Sequence, residues 1–294
     1  MTMPNFLIIG AMKSGTTALY YYLEQHPEIY MSPVKEPNFF SSQEQENMVD
    51  TVTHIGTYQN LFRGAVGKKA IGEASHSYLY EPSAAAEIRR YLPGASLIAI
   101  LRNPVDRAYS HFLHMVRSGT EPIDDFAQAL QEEERVVGIQ EGRIFQDYVG
   151  RGLYYDQLKR YFETFPREQV RVYLYEDLSG APVSTVQDAF RFLKVDASFV
   201  PDVSLRRNVS GHPKYKVLDG LLRRQSRIKH AAKIYLPARM RWRLSNAFDD
   251  LKTRNLVKPP PLNPEVRRQL IGVYREDILQ VQELIDRDLS GWLA

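Results

Sequence analysis

Short, continuously apolar runs, each followed by a helical pattern, set the frame of this chain. Asn5-Phe-Leu-Ile-Ile-Gly10 is apolar up to its closing glycine, and Ala18 to Gln25 follows with good helix formers. That order reads as buried strand, loop and helix. Ser96-Leu-Ile-Ala-Ile-Leu101 is the clearest buried strand, preceded by a helical pattern over 83–91 and the turn pair Pro93-Gly94. It runs straight into Arg102-Asn-Pro-Val-Asp, where Asn103 suits an N-cap and Pro104 the first helical position, predicting a helix to about Arg117. A shorter apolar stretch over 68–73 predicts a strand ending near Gly72, and residues 27–37, with three prolines, read as loop. Further on, the pattern predicts an acidic helix over 124–135, a helix over 152–162, an alternating strand over 169–175 closed by Glu176-Asp177, and a helix over 181–193. From Ser204 the chain reads as loop and basic helix; Pro259-Pro-Pro261 interrupts it before a final helix over 264–285.

Strands separated by helical patterns imply βαβ units. The expected fold is α/β and three-layered, with a mainly parallel central sheet, a P-loop-like strand-loop-helix and helices on both faces. Ligands of such sheets bind at the strands' carboxyl ends, and Lys13, Glu73 and Arg102 all fall just past predicted strand ends. With no repeat, low-complexity tract or linker, residues 1–294 read as a single domain with a basic, mainly helical C-terminal part from about 204.

Composition narrows the chemistry. The 294 residues include no cysteine, which excludes disulfides, thiolate catalysis and cysteine-based metal sites, and the seven histidines never take HExxH spacing, so no metal is expected. No apolar run approaches the ~18 residues of a membrane-spanning helix, and Phe6–Ile9 is too short for a signal-peptide core, so a soluble, cytoplasmic protein is expected. The net charge of +3 is unevenly placed: from Arg206 to Arg243 there are twelve Lys or Arg against one acid, Asp219. Such a stretch is either a solvated helical face or a surface for an anionic partner. No nucleic-acid-binding motif accompanies it, so no nucleic-acid partner is expected.

The loop Gly10-Ala-Met-Lys13-Ser14-Gly15-Thr16-Thr17 carries the sharper signal. A glycine-containing turn between a buried strand and a helix presents N–H groups at the helix's positive end, an anion site. A nucleoside-triphosphatase loop would place its lysine directly after the second glycine; here Thr16 stands there and the lysine comes two places earlier. The later strand ends in Arg102, where a triphosphatase would carry a magnesium-binding aspartate. A cation there suggests a second anionic group held without metal.

These residues carry a resemblance. FLIIGAMKSGTTALYYYLEQHP resembles the 5′-phosphosulfate loop of sulfotransferases that use 3′-phosphoadenosine 5′-phosphosulfate (PAPS), and LIAILRNPVDRAYSHF is similar to their 3′-phosphate motif. KEPNFF, GEASHSYLY, RGLYYDQLKRYFETFP and the YEDL strand end are similar too, especially to bacterial members and the heparan-sulfate branch, over residues 5–195. The resemblance implies that Ser14, Gly15, Thr16 and Thr17 hold the 5′-phosphate while Lys13 reaches the oxygen bridging phosphorus and sulfur, where negative charge builds in the transition state. It also implies that Arg102 and Ser110 bind the 3′-phosphate of PAPS and of its product PAP. Eight helical residues between these two would span ~12 Å of axial rise, so their pairing rests on the resemblance alone. For Arg102 the alternative is a helix-start ion pair with Asp106.

A hydroxyl or amine acceptor must lose a proton, which calls for a general base. Glu73 matches the glutamate of the heparan-sulfate branch, although Ala74, Ser75 and His76 replace the lysine, threonine and proline usual after it. His76 is the competing base. Lys35 either contacts sulfate or acceptor or is a solvated loop lysine; Phe39 and Phe40 read as core. Arg206, Arg207 and Lys214 are candidates for a basic loop over the cofactor phosphates. The expected enzyme moves a sulfuryl group from PAPS to a small-molecule or carbohydrate acceptor, one that the basic segment would favour as an anion. The alternatives are a kinase with a variant phosphate loop, and a non-catalytic binder of phosphoadenosine or nucleic acid.

Overall fold

The computed structural model describes residues 2–41, 52–136, 147–204, 212–213, 256–257 and 260–294. The predicted apolar runs become the middle of a five-stranded parallel sheet. Its strands are β1 (Phe6–Gly10), β2 (Ile29–Met31), β3 (Ala70–Ala74), β4 (Ser96–Leu101) and β5 (Val170–Leu174), in the order β2-β3-β1-β4-β5. All five residues of β1 are buried, as continuous apolar runs in covered parallel sheets should be. Alternation sends Phe6 and Ile8 to one face and Leu7 and Ile9 to the other.

Helices cover both faces. Against the Phe6 face pack α1 (Thr16–Glu24), α7 (Tyr175–Gly180) and α8 (Pro182–Phe192), through Leu19, Leu178 and Val186. Against the Leu7 face pack α2 (Ile55–Asn60), α3 (Ala84–Tyr91), α4 (Pro104–Ser118), α5 (Phe126–Val136), α6 (Tyr154–Thr164) and α9 (Pro264–Ile285). In the Tyr20-Tyr21-Tyr22 run, Tyr20 and Tyr22 are buried. Phe40 is core as expected, and Phe39 stacks on Tyr58 with ring centroids 4.4 Å apart.

Three expectations need correction. The proline-rich stretch 27–37 is not all loop, because Ile29-Tyr-Met31 pairs in parallel with β3 as a three-residue edge strand, too short for periodicity to reveal. The strand predicted to end near Gly72, β3, runs on to Ala74, so Glu73 lies within it. Glu176 and Asp177 do not merely end β5 but open α7, Asp177 Oδ2 accepting from Leu174 N–H at 2.9 Å. The basic stretch 206–243 lies outside the described residues apart from His212–Pro213, which pairs with Leu256–Val257 in a short antiparallel ladder.

Candidate active site

In a sheet of this order the crevice forms where successive connections leave in opposite directions, between β1 and β4. The loop after β1 turns tightly there. Ala11 N–H donates to Ile100 O at 2.8 Å, tying it to β4, and Lys13 takes a left-handed backbone with φ 67°. Gly15 follows at φ 98°, where a Cβ would strain the backbone and lie 3.3 Å from both Tyr175 and Leu178. The first intrahelical bond of α1 is Ala18 N–H to Gly15 O, at 2.9 Å. The amides of Gly15, Thr16 and Thr17 come before it, at the helix's positive end.

The charges around this loop are mostly of one sign. Burial, then Arg117 and Arg102, push the Lys13 ammonium down to about 8, with Lys35 adding to them and Glu36 opposing. Among the groups acting on Lys13, the cations Arg117, Arg102 and Lys35 thus outnumber the carboxylate of Glu36. Arg117 and His114 come from α4 and were not foreseen; Arg117 Nη2 lies 3.1 Å from His114 Nδ1. Burial, Lys13 and Arg117 push His114 down to about 3, leaving a neutral imidazole at ordinary pH. The helical spacing of Ser110, His114 and Arg117 was the signal that could have found them.

Arg102 sits in extended chain before α4, whose first turn is capped by Asn103 Oδ1 accepting from Val105 N–H at 3.0 Å. Its Nη1 donates to Lys13 O at 3.2 Å, and its guanidinium lies 4.7 Å from the centre of the Tyr175 ring. Tyr154 donates its hydroxyl to Arg102 O at 3.0 Å and lies beside the buried Ser14 hydroxyl. The alternative partner Asp106 is engaged elsewhere, by Arg267 of α9. Ser110 is buried about 9 Å along the α4 axis from Pro104. Arg206, Arg207 and Lys214 lie outside the described residues.

The two expected bases part company. His76 lies at the site, its Nε2 3.3 Å from Glu36 Oε2, and Lys35 pairs with the other oxygen of Glu36. Burial alone would raise the Glu36 carboxyl, but His76 and Lys35 outweigh it and hold the group well below the usual carboxylate range. Glu73 is fully buried instead. Tyr58 donates to its Oε1 at 3.3 Å and Ser75 to its Oε2 at 2.9 Å, and Tyr78 bonds it as well. Burial pushes its carboxyl up to about 7 against these three hydroxyls, and the charge of Glu36 adds to the rise. A carboxyl so enclosed has no exposed surface, whereas Glu36 is partly exposed between Lys35 and His76. Of the KEPNFF segment, the glutamate lies at the site as well as the lysine expected there.

The family model described as "Sulfotransferase domain" matches residues 3–212. The chain belongs to the sulfotransferase domain family. Its membership agrees with the enzyme class read from the motifs, a PAPS-dependent sulfotransferase, and with the phosphate-binding α/β fold. This sulfotransferase is 32% identical to a sulfotransferase of known crystal structure from Alicyclobacillus acidocaldarius, with a TM-score of 0.76 and all of both chains covered. It is 30% identical over 199 residues to human bifunctional heparan sulfate N-deacetylase/N-sulfotransferase 3, a match covering 66% of this chain and 22% of that protein. Membrane-associated sulfotransferase kil1 of Dictyostelium discoideum is 22% identical over 366 residues, 99% of this chain and 67% of that one. Among the described residues, no helix is long and apolar enough to cross a membrane.

Proposed function

We propose that this sulfotransferase moves the sulfuryl group of PAPS to a hydroxyl, or less readily an amine, of a small-molecule or carbohydrate acceptor. The observation that carries the reading is the excess of cations about the Lys13 loop, where Arg117, Arg102 and Lys35 act on Lys13 and Glu36 opposes them, which suits a polyanionic nucleotide. Bound PAPS supplies a sulfuryl group joined to phosphate through one oxygen. The amides and hydroxyls of Ser14, Gly15, Thr16 and Thr17 would hold the 5′-phosphate, and Arg102 with Ser110 the 3′-phosphate. Lys13 would stabilise the charge that gathers on the bridging oxygen as the sulfur–oxygen bond breaks. Side-chain cations supply this stabilisation, so the reading asks for no metal.

Glu36 is the base in this reading, in place of Glu73. It is ionised at neutral pH, reachable from the cation cluster, and aimed by Lys35 and His76. A weakly basic carboxylate suffices, because the acceptor hydroxyl becomes strongly acidic as its oxygen bonds to sulfur. His76, behind Glu36, orients the carboxylate, and Lys35 faces the transferring group.

The cofactor is tested by thermal stabilisation with 3′-phosphoadenosine 5′-phosphate, beside adenosine 5′-phosphate and magnesium ATP. A ligand at a hundred times its Kd adds about 2.7 kcal/mol to stability, a Tm rise of several degrees in a chain of this size. Selective stabilisation by the 3′-phosphorylated nucleotide without magnesium is expected. Stabilisation by magnesium ATP alone would make the Lys13 loop a variant kinase site and overturn the reading.

A further inference from the structure

Where the chain approaches α6, two carboxyl groups are bonded to each other and to the backbone that leads there, and the reaction as proposed does not use them. Glu133, on the last turn of α5, accepts from two successive amides: its Oε2 from Tyr148 N–H at 3.1 Å and its Oε1 from Val149 N–H at 2.9 Å. Asp147 takes the next one, its Oδ1 accepting from Gly150 N–H, while its Oδ2 accepts from the Tyr80 hydroxyl. A Cβ on Gly150 would collide with the Asp147 carboxyl, so the glycine makes room for this arrangement. Three consecutive N–H groups are thus held by two acids that also hydrogen-bond each other.

Ionised carboxylates are acceptors only, so a bond between two of them requires a proton on one. Two like charges so close also disfavour ionisation of both. Burial pushes the Glu133 carboxyl up to about 7, the charge of Asp147 adding to the rise and the amides of Val149 and Tyr148 opposing it. Around the pair stand Tyr80 and Glu81 from the exit of β3, Arg151 from the turn 150–152, Arg107 from α4, Glu121 from the segment before α5, and Tyr274 from α9. The Arg151 guanidinium lies over the Tyr80 ring, 4.3 Å from its centre. The carbonyls of the clamped residues are held too, Tyr148 O by Arg107 Nη2 and Val149 O by the Tyr274 hydroxyl at 3.1 Å. Tyr154, which opens α6 two residues past this turn, bonds Arg102 O.

We propose that Glu133 and Asp147 are positioning residues: one proton shared between them closes a clamp on residues 147–150 that sets where α6 begins, and so where Tyr154 meets Arg102. The effect on nucleotide binding rests on the reading of Arg102 as a phosphate ligand; the clamp itself does not. In an opened chain both acids lose their protons near their ordinary values of about 4. Between there and about 7 the closed clamp binds one proton more than the opened one. Opening therefore becomes easier as pH rises through that window, by up to tenfold per pH unit, and levels off above it.

Asp147→Asn isolates the proton. Its Oδ1 keeps the Gly150 amide, and its N–H₂ offers one hydrogen to Glu133 and one to Tyr80 Oη, which gives a closed clamp with no shared proton to lose. Amide hydrogen exchange of a peptide spanning residues 147–154 is read by mass spectrometry on the full chain, as the ratio of parent to variant at each pH. Affinity for 3′-phosphoadenosine 5′-phosphate is measured beside it. Parent and Asp147→Asn are expected to exchange alike at about pH 5, and the parent roughly tenfold or more faster at about pH 7.5. Over the same interval the parent's affinity for the nucleotide should fall relative to the variant's. Glu133→Gln keeps only one of its two amides and should exchange faster than the parent at low pH, yet its parent-to-variant ratio should also rise with pH; it carries the test should Asp147→Asn fold poorly. A ratio that stays constant with pH in both variants overturns the shared proton. A rising exchange ratio with a constant affinity ratio overturns the reach to Arg102. Failure of the parent to bind the nucleotide at either pH overturns the nucleotide reading, and the exchange ratios still decide the clamp.

Discussion

Lys13 is held in a place that costs stability in the absence of a ligand. Its side chain is buried among Arg117, Arg102 and Lys35, and its ammonium is pushed from 10.5 to about 8. Between those two values the unfolded chain binds more protons than the folded one, so stability rises with pH across the window; below about 8 the full penalty remains. An anion bound at the loop would relieve it. Lys13→Met should therefore raise the Tm of the ligand-free protein at pH 7 by about 2–4 °C for each kcal/mol recovered, and abolish sulfuryl transfer. The Tm advantage over the parent should shrink between pH 8 and 10, and a constant advantage in calorimetric scans would trace it to something other than the charge. The parent's kcat/KM should fall above about pH 8 as Lys13 loses its proton. Lys13 and Arg102 were legible in the sequence because each lies within three residues of the end of its own strand. Glu36 was not, since Lys13, His76 and His114 come near it from the ends of β1 and β3 and from α4, and only the strand order brings these together.

At the scale of elements, β3 shows why strand limits were harder to read than strand cores. Gly72 interrupts its apolar pattern and reads as the strand's end, yet it lies mid-strand beneath the Phe6 ring, where a Cβ would collide with the ring. The glycine is there for packing across the sheet, which a single segment cannot announce. Gly72→Ala would have to displace Phe6 from the core, at a cost of about 1–3 kcal/mol. Chemical denaturation should show a lower midpoint with an unchanged slope, and an undiminished midpoint would mean that Phe6 has room to move. The same reasoning covers β2, whose three residues acquire strand geometry from β3 and not from any pattern of their own. The helix α4 was legible throughout, because Asn103, Pro104 and the αL Gly119 write both its ends into the sequence.

At the scale of the whole molecule, α9 reaches the Lys13 loop through two intermediaries. Tyr274, Ile278, Val281 and Ile285 of α9 lie in the same core as Leu7 and Leu97 of the sheet. Both oxygens of Asp277 accept backbone N–H groups at the start of α6, from Tyr154 at 2.8 Å and Tyr155 at 2.9 Å. They satisfy orphan donors of α6 with a carboxylate from another helix, where the helix dipole favours negative charge. Tyr154 in turn bonds Arg102 O, and Arg102 bonds Lys13 O. Asp277→Ala should cost about 1–3 kcal/mol by leaving those amides unpaired, and should loosen Tyr154 and with it Arg102. Affinity for 3′-phosphoadenosine 5′-phosphate should then fall more than affinity for adenosine 5′-phosphate if, as proposed, Arg102 holds the 3′-phosphate. Asp277→Asn keeps one acceptor oxygen and should lose less on both counts. Calorimetry and titration of the two nucleotides measure these effects. A lowered Tm with equal losses for both nucleotides would confine Asp277 to holding α9 on α6, whereas a selective loss ties α9 to the site built between β1 and β4.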